Sequence, residues 1–480
     1  MNLKTTLAGA SLLFVVCTLS YCSDSPKPTD TGTTNDSITP VPFPGKNVTG
    51  IKFPEDSSTV LGWLTNQYDT TKIYNHAWGI WAGLTAQSGQ VFQGDSMMVF
   101  ETWLGIQELQ TMVQNHNTQG GCTMTKRSRS VLEIPKQFGH AARLNQTAPP
   151  VDDNLGFFVS VSYDPSAACF ATSQSIFSET ALQQYVPAAN AIGAIPSFPN
   201  TSITLKPVYY LAKQKDGLIQ IPAWTGPPPT AQNYPTNDWN RYILADVNNG
   251  QQPGKVPIPV TQQGMSNADS VTLATVNLNE FINYDLDSAM AAYMTNEQGS
   301  QGANKFEVGD IAILIAMHVA TKEISNWTWQ TFFWTPDPAN PPSPSSVFAG
   351  RVRSTVNLHG AASHYAVTTA YAMVLPNQPV SGGTNARAQA IFGFNPYLEA
   401  GLGQINNIPN ALNPTYEWGV QSNCMSCHAL ATYKPTNTNG IGYTADQYLS
   451  LSDSIYHGYV QLDFAWSIQA TLINDLNKKK

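Results

Sequence analysis

A short cysteine motif near the C-terminus constrains this chain more than any other feature. Residues 424–428 read Cys-Met-Ser-Cys-His, which is the C-x-x-C-H pattern of covalent haem attachment. The spacing follows from the chemistry, because two thiols must add to the two vinyl groups on one edge of a porphyrin. The histidine after the second cysteine then lies beneath the iron and binds it. The motif therefore predicts one haem c on Cys424 and Cys427, with His428 as the proximal iron ligand.

Two other uses of paired cysteines fit the sequence less well. Half of a zinc site would need a second C-x-x-C or a closely spaced pair of histidines after the motif, and neither follows it. A thioredoxin-type redox pair usually opens a helix after a buried strand, whereas this pair follows the polar stretch 419–423. Haem attachment is therefore the preferred interpretation.

The N-terminus has the pattern of an export signal. Lys4 precedes an apolar run that ends at Leu19 and is too short to span a bilayer as a stable helix. Residues 1–21 are therefore predicted to be a signal peptide, which agrees with the attachment of haem c outside the cytoplasm. The run ends in Leu-Ser-Tyr-Cys, which is similar to a bacterial lipobox, although Tyr21 replaces the usual small residue. Cys22 is a candidate for lipidation, and ordinary cleavage near Cys22 is the alternative.

The charge of the chain limits its partners. Charged residues make up 12% of the sequence and the net charge is −8. Nucleic acid is excluded as a partner, because neutralising phosphates requires a basic patch. The acidic balance suits basic redox partner proteins. The predicted location is the periplasm, or the outer membrane of a bacterium as a lipoprotein, with membrane contact only through a lipid on Cys22.

Composition and periodicity predict an α+β fold. Residues 22–50 contain almost nothing apolar and are predicted to be a flexible tether. A mainly helical region is expected over 51–150, and a β-rich domain resembling a β-sandwich is expected over 151–345. Residues 346–480 would then form a C-terminal haem c region that is mainly helical or irregular.

Two cysteines lie outside the haem motif, the tether and the signal. Cys122 and Cys169 could form a disulfide in an oxidising compartment. Two separate buried thiols are the alternative, because the distance between them cannot be read from the sequence.

One predicted strand combines two apolar faces with a histidine. Strands are predicted at 157–163, 203–210, 218–222, 241–245, 310–321 and 327–334, and helices at 69–84, 97–109, 178–185 and 270–294. Asp310–Thr321 is apolar on both faces, as expected of a central strand. Alanines beside His318 leave room for a large flat group, so His318 is the first candidate for a distal iron ligand. A buried histidine bonded to the backbone is the alternative.

Several pieces of the chain resemble a group of large exported bacterial single-haem proteins, usually called only cytochrome c family proteins. The matching pieces are 198–200, 203–209, 308–310, 317–319, 321–324, 326–332, 395–399, 423–429 and 463–468. The resemblance extends over most of the mature chain, with these short pieces spread between residues 198 and 468. The resemblance implies one covalent haem c on Cys424, Cys427 and His428. It implies no particular reaction.

The distal side of the iron is less constrained than the proximal side. Only 52 residues follow His428 and none of them is methionine, unlike small soluble cytochromes c, whose methionine ligand lies downstream of the motif. The distal ligand must therefore be His457 or an upstream residue, or the position is open. The upstream candidates are His76, Met97, Met98, His318 and Met373.

Three functions are compatible with these features. A haem with two axial ligands would transfer electrons, and this is the preferred function. A haem with an open distal position would bind peroxide, oxygen or another small oxidant, with His318 or Glu323 as an acid–base group. In the third case the β-rich region binds a ligand or partner and the haem reports or anchors it.

Overall fold

The computed structural model describes most of the chain between residues 37 and 476. The described residues are 37–44, 51–65, 68–92, 94–129, 132, 156–213, 216–227, 236, 239–251, 271–297, 306–375, 389–400, 423–437, 440–441 and 449–476. The predicted signal peptide and Cys22 lie outside them. The described residues all belong to one compact unit, Asp36–Lys480. No helix among these residues is long and apolar enough to span a membrane.

The described elements are ten α-helices and eighteen strands, which confirms the α+β class. The helices are α1 (Ser57–Thr65), α2 (Thr70–Leu84), α3 (Ile106–Gln114), α4 (Pro165–Ser173), α5 (Glu179–Leu182), α6 (Ser288–Glu297), α7 (Val347–Arg353), α8 (Pro396–Glu399), α9 (Cys424–His428) and α10 (Trp466–Ala470). The strands are β1 (Gln87–Phe92), β2 (Asp95–Met98), β3 (Leu104–Gly105), β4 (Phe157–Val159), β5 (Ser162–Tyr163), β6 (Gly193–Ala194), β7 (Ile203–Ala212), β8 (Leu218–Pro222), β9 (Arg241–Asp246), β10 (Val271–Asn277), β11 (Asn283–Asp285), β12 (Ile311–Thr321), β13 (Thr328–Trp334), β14 (Tyr365–Thr369), β15 (Val374–Leu375), β16 (Gln389–Ala390), β17 (Thr432–Tyr433) and β18 (Val460–Gln461).

An eight-stranded antiparallel sheet forms the middle of the molecule. Its main path runs β14-β13-β12-β7-β5-β3, with β11 beside β12 and β4 beside β7. The smaller sheets of the described residues are β1-β2, β8-β9-β10, β15-β16 and β6-β18-β17. The prediction of a central strand at 310–321 is confirmed, because β12 lies between β7 and β13 and all but one of its residues are buried.

The two faces of the large sheet carry different side chains. Residues paired across antiparallel strands share a face, so Lys206, His318 and Thr331 form one polar row across β7, β12 and β13. Phe332 lies on the opposite face, where α2 covers it and the ring of Trp81 stacks on it at 4.4 Å between centroids. The face with the polar row is therefore the one open to elements from the C-terminal part of the chain.

The structure confirms several local predictions. Asp69 caps α2, because its carboxylate accepts a hydrogen bond from the Lys72 N–H. Strands β7, β8 and β9 lie where they were predicted, and the short helix predicted at 178–185 is present as α5 and a following 3₁₀ turn.

Two predicted helices were wrong. Residues 97–109 contain the end of β2, a 3₁₀ turn, β3 and only the first turn of α3. Residues 270–294 contain β10 and β11 before α6 begins. Short apolar runs are ambiguous between helix and strand, and β10 is rich in valine and threonine, which favour strands. The strand predicted at 157–163 is present, but it is divided into β4 and β5.

Part of the predicted tether packs on the fold. The backbones of Ile38 and Arg127 exchange hydrogen bonds, and the Ile38 side chain is buried. Thr39 exchanges two hydrogen bonds with the side chain of Gln90. A tether would therefore have to end before residue 37.

The structure contains a disulfide between Cys122 and Cys169, with the two Cα atoms 4.1 Å apart. Of the two alternatives left open by the sequence, the paired one is therefore correct. The bond joins the turn after α3 to α4, across a separation of 47 residues.

We expect loss of this disulfide to lower the free energy of unfolding by about 2–4 kcal/mol, because it closes a long loop in the unfolded chain. The measurement is urea unfolding of the Cys122→Ser/Cys169→Ser double variant beside the wild type. Reductant should destabilise the wild type and leave the double variant unchanged. Equal stability of the two proteins without reductant would contradict the prediction.

Candidate functional site

The C-x-x-C-H motif forms a single helical turn, α9, that Asn423 fixes in place. The Asn423 side chain accepts a hydrogen bond from the Ser426 N–H at 3.1 Å, which caps the turn. Its amide group donates to Ala372 O at 2.9 Å and to Ile391 O at 2.8 Å. Asn423 is fully buried. These hydrogen bonds join the turn to the residues that flank the β15-β16 pair, Ala372 before β15 and Ile391 after β16.

Both motif cysteines are free thiols. Cys424 is buried and donates a hydrogen bond from Sγ to Gly393 O at 2.9 Å, and Cys427 is half-buried. Burial raises the pKa of both thiols far above the usual value, and the nearby Glu399 carboxyl adds to the effect. Reactive redox cysteines have a lowered pKa. The environment is therefore unlike that of a thioredoxin-type pair.

His428 is held in one tautomer by the backbone. Its Nδ1 lies 2.8 Å from the carbonyl oxygen of Phe464. A carbonyl can only accept, so Nδ1 carries the hydrogen and Nε2 carries the lone pair. Burial lowers the pKa of His428 to about 4, against the effect of the Phe464 carbonyl. The imidazole is neutral at pH 7, and Nε2 is free to bind a metal.

A tryptophan also fixes the His428 ring. The Trp329 ring lies against the imidazole with 4.1 Å between centroids. Trp329 occupies β13, two residues from Thr331 and on the same face, so α9 lies on the side of the sheet that carries the polar row. Trp466 anchors the end of the motif by donating a hydrogen bond from Nε1 to Cys427 O at 3.1 Å.

His318 and Glu399 form a second group beside the motif. His318 Nε2 lies 3.5 Å from Glu399 Oε1. Helix α8 brings Glu399 to this place, because Asn395, its cap, donates a hydrogen bond to Thr331 Oγ1 on β13. The Asn395 N–H also donates to Glu399 Oε2. The two side chains thus approach each other from the sheet and from the helix above it.

Both members of this group are neutral at pH 7. Burial lowers the pKa of His318 well below its usual value, with smaller contributions from the charge of Lys206 and from His428. Burial raises the pKa of Glu399 to about 8, despite the Asn395 N–H and Lys206. Their separation would suit an ion pair, but the desolvation of both groups outweighs their attraction. Ionisable groups with strongly shifted pKa values cluster at functional sites, and here two thiols, two imidazoles and a carboxyl come together.

The other predicted distal ligands have different surroundings. Met373 is buried next to Ala372, a partner of Asn423, but its sulfur accepts a hydrogen bond from Leu449 N–H. His457 is exposed. Met97 packs with Ile38 and Phe92.

His76 and Glu323 form a buried pair of their own. His76 Nε2 lies 3.1 Å from Glu323 Oε1, and its Nδ1 lies 2.6 Å from the Tyr371 hydroxyl. The Thr321 hydroxyl donates to the other Glu323 oxygen. Both ring nitrogens of His76 and both carboxylate oxygens of Glu323 therefore have hydrogen-bond partners within this network.

The sequence analysis did not identify Glu399 and Lys206 as neighbours of His318. Lys206 is a charged residue within an otherwise apolar strand, and this was a usable signal. Glu399 follows an Asn-Pro helix start, which places it at the end of a short helix but does not show which strand the helix meets.

We expect Glu399 to make the stability of the chain depend on pH. Its pKa is raised to about 8 in the folded chain and lies near 4.3 in an unfolded one. The stabilisation that this shifted pKa adds to the free energy of unfolding is therefore complete below about pH 4.3 and is lost as the pH rises towards 8. The difference in unfolding free energy between wild type and Glu399→Gln should change by up to about 1.4 kcal/mol per pH unit within this window.

The measurement is urea unfolding between pH 5 and pH 8. Glu307→Gln, a change at an exposed carboxylate before β12, is the matched control and should follow the wild type at every pH. Parallel pH profiles for wild type and Glu399→Gln would contradict the assignment.

Comparisons with known proteins give no relative for this chain. No family model, no curated protein and no solved structure matches it.

Proposed function

We propose that this protein is an exported c-type cytochrome that carries one covalent haem and transfers electrons. Cys424 and Cys427 would hold the haem through thioether bonds, and His428 Nε2 would bind the iron. The observation that carries the proposal is the state of the motif: two thiols that are not bonded to each other on one helical turn, followed by an imidazole whose Nδ1 hydrogen is committed to the Phe464 carbonyl. The resemblance of the sequence to single-haem cytochrome c family proteins supports it.

The side chains of the motif are the donors that such a group needs. A haem iron takes one or two axial ligands from the protein, so it needs no cluster of carboxylates or cysteines. In the described ranges no three or more histidine, cysteine or acidic residues are arranged to hold a bare metal ion. When bound, the haem would supply one-electron chemistry. The chain would orient His428 through Phe464 and Trp329 and would shield the site with apolar side chains.

We expect one covalent haem per chain, visible as a haem stain that survives denaturing electrophoresis and as a pyridine haemochrome. Cys424→Ala and Cys427→Ala should each reduce covalent haem at least tenfold, because each removes one thioether position. Cys122→Ala and Cys169→Ala are matched controls, because those cysteines pair with each other. Absence of covalent haem from the wild type, or its retention when both motif cysteines are replaced, would refute the proposal.

His318 is the proposed distal ligand. It is neutral at pH 7, a protonated His428 would lower its pKa further, and Ala316 and Ala320 flank it on the same face of β12. A second imidazole would complete a low-spin iron suited to electron transfer. Met373 and His457 remain less favoured candidates, since one is bonded to Leu449 and the other is exposed.

We expect the reduced wild type not to bind carbon monoxide, because both axial positions would be filled. His318→Ala should open one position and give a carbon monoxide complex, seen as a shift of the Soret band. His457→Ala and Met373→Leu should behave like the wild type. The same carbon monoxide affinity in His318→Ala and the wild type would exclude His318 as the ligand.

The second candidate function is a haem enzyme with an open distal position. The observation that favours it is Glu399, which burial keeps protonated at pH 7 next to the neutral His318. Such a pair could donate and accept a proton at a bound oxidant. Carbon monoxide binding by the reduced wild type would favour this function over electron transfer.

The remaining proposals concern location and architecture. A signal peptide at 1–21, a lipid on Cys22, redox partner proteins and a place in the periplasm or the outer membrane follow from the sequence. The proposed β-sandwich-like region at 151–345 contains most strands of the large sheet, which also takes β3 and β14 from outside these bounds. The haem c region at 346–480 is supported by the position of α9.

A further inference from the structure

The carbonyl that holds His428 belongs to a strained turn. Asp463 and Phe464 have φ values of 48° and 68°. Both lie in the left-handed region, which is costly for residues other than glycine. Phe464 presents its carbonyl oxygen to His428 Nδ1 only while this conformation persists. Something in the surrounding structure must therefore hold the turn.

A buried ion pair holds it. Lys322 Nζ lies 2.5 Å from Asp463 Oδ1, and the two side chains are 4% and 12% exposed. The second carboxylate oxygen of Asp463 accepts a hydrogen bond from the Phe198 N–H at 2.9 Å. Lys322 Nζ also donates to Ser325 O at 2.8 Å. Both carboxylate oxygens of Asp463 are therefore bound by other segments of the chain, one through Lys322 and the other through Phe198.

The same lysine also contacts the segment that leads to Trp329, the second support of the imidazole. Its ammonium lies over the Trp327 ring, 5.3 Å from the centroid. Trp327 has a φ of 61° and precedes β13. Two residues later Trp329 packs on the His428 ring. Three of the eight left-handed residues other than glycine in the described ranges, Trp327, Asp463 and Phe464, therefore lie in the segments around one ion pair.

We infer that Lys322 and Asp463 are positioning residues for the axial imidazole, and that they set the midpoint potential of the haem by fixing the Phe464 carbonyl on His428. This inference rests on the proposed haem attachment. A hydrogen bond from Nδ1–H to a carbonyl makes the imidazole a stronger electron donor, and stronger donation stabilises ferric iron. When the carbonyl turns away, ferric iron loses this stabilisation and the midpoint potential rises.

The experiment is a redox titration of the covalent holoprotein, followed by its absorption spectrum. In Lys322→Met/Asp463→Asn the pair is replaced by neutral groups of similar size, so no unpaired charge is buried. We expect its ferric-to-ferrous equilibrium to move about tenfold towards ferrous, which is about 59 mV upward for one electron. Asp463→Asn alone should shift the potential in the same direction. This single variant keeps an acceptor for the Phe198 N–H and tolerates the left-handed backbone.

Glu108→Gln is the matched control, because it removes another partly buried ion pair, Glu108 with Arg127 at 3.1 Å. It should lower stability and leave the potential unchanged. Unchanged potentials in both Asp463 variants, with covalent haem retained, would show that the Lys322 pair only stabilises the fold. A wild type without covalent haem would refute the haem proposal itself, and the haemochrome assay separates that outcome from the first.

Discussion

The pairing of β12 with β7 on one side and β13 on the other is the constraint on which the rest of the structure depends. It buries a strand on both faces, so each face must be covered by another part of the chain. Helix α2 covers one face with its tryptophans. The pairing also fixes the register that aligns Lys206, His318 and Thr331. A shift of one residue would turn this row to the opposite face of the sheet, which would remove the polar contacts of α8 and the Trp329 contact of α9.

Burial then decides the chemistry of the site. A charged group in such a place must be paired or must become neutral. His318, Glu399, His428 and the two thiols become neutral, whereas Lys322 and Asp463 keep a partner at hydrogen-bond distance. The neutral groups are those near the proposed iron. The ion pair of Lys322 and Asp463 instead fixes the turn that presents the Phe464 carbonyl to the proposed proximal histidine.

Local structure could be predicted from the sequence, whereas contacts between residues far apart in the sequence could not. Helix α2 was predictable because Asp69 caps a regular apolar stripe, and β12 because its apolar run is long and uninterrupted. The roles of Cys424, Cys427 and His428 are predictions from the chemistry of the motif, and the structure adds the neighbours of these side chains. Nothing local shows that Glu399 meets His318, 81 positions earlier, since that depends on how α8 docks on β13. The error at 271–277 has a similar cause, because the parallel partner of β10 lies outside the window that periodicity can test.

The burial of Cys424 has a consequence for the order of assembly. The residue is 8% exposed and its thiol donates a hydrogen bond to the Gly393 carbonyl oxygen, so the folded chain leaves little of this residue open to an attachment apparatus. If haem is attached to this cysteine, as we propose, the attachment would have to come before the thiol is buried against Gly393. Folding of this part of the chain would then follow the loading of the cofactor.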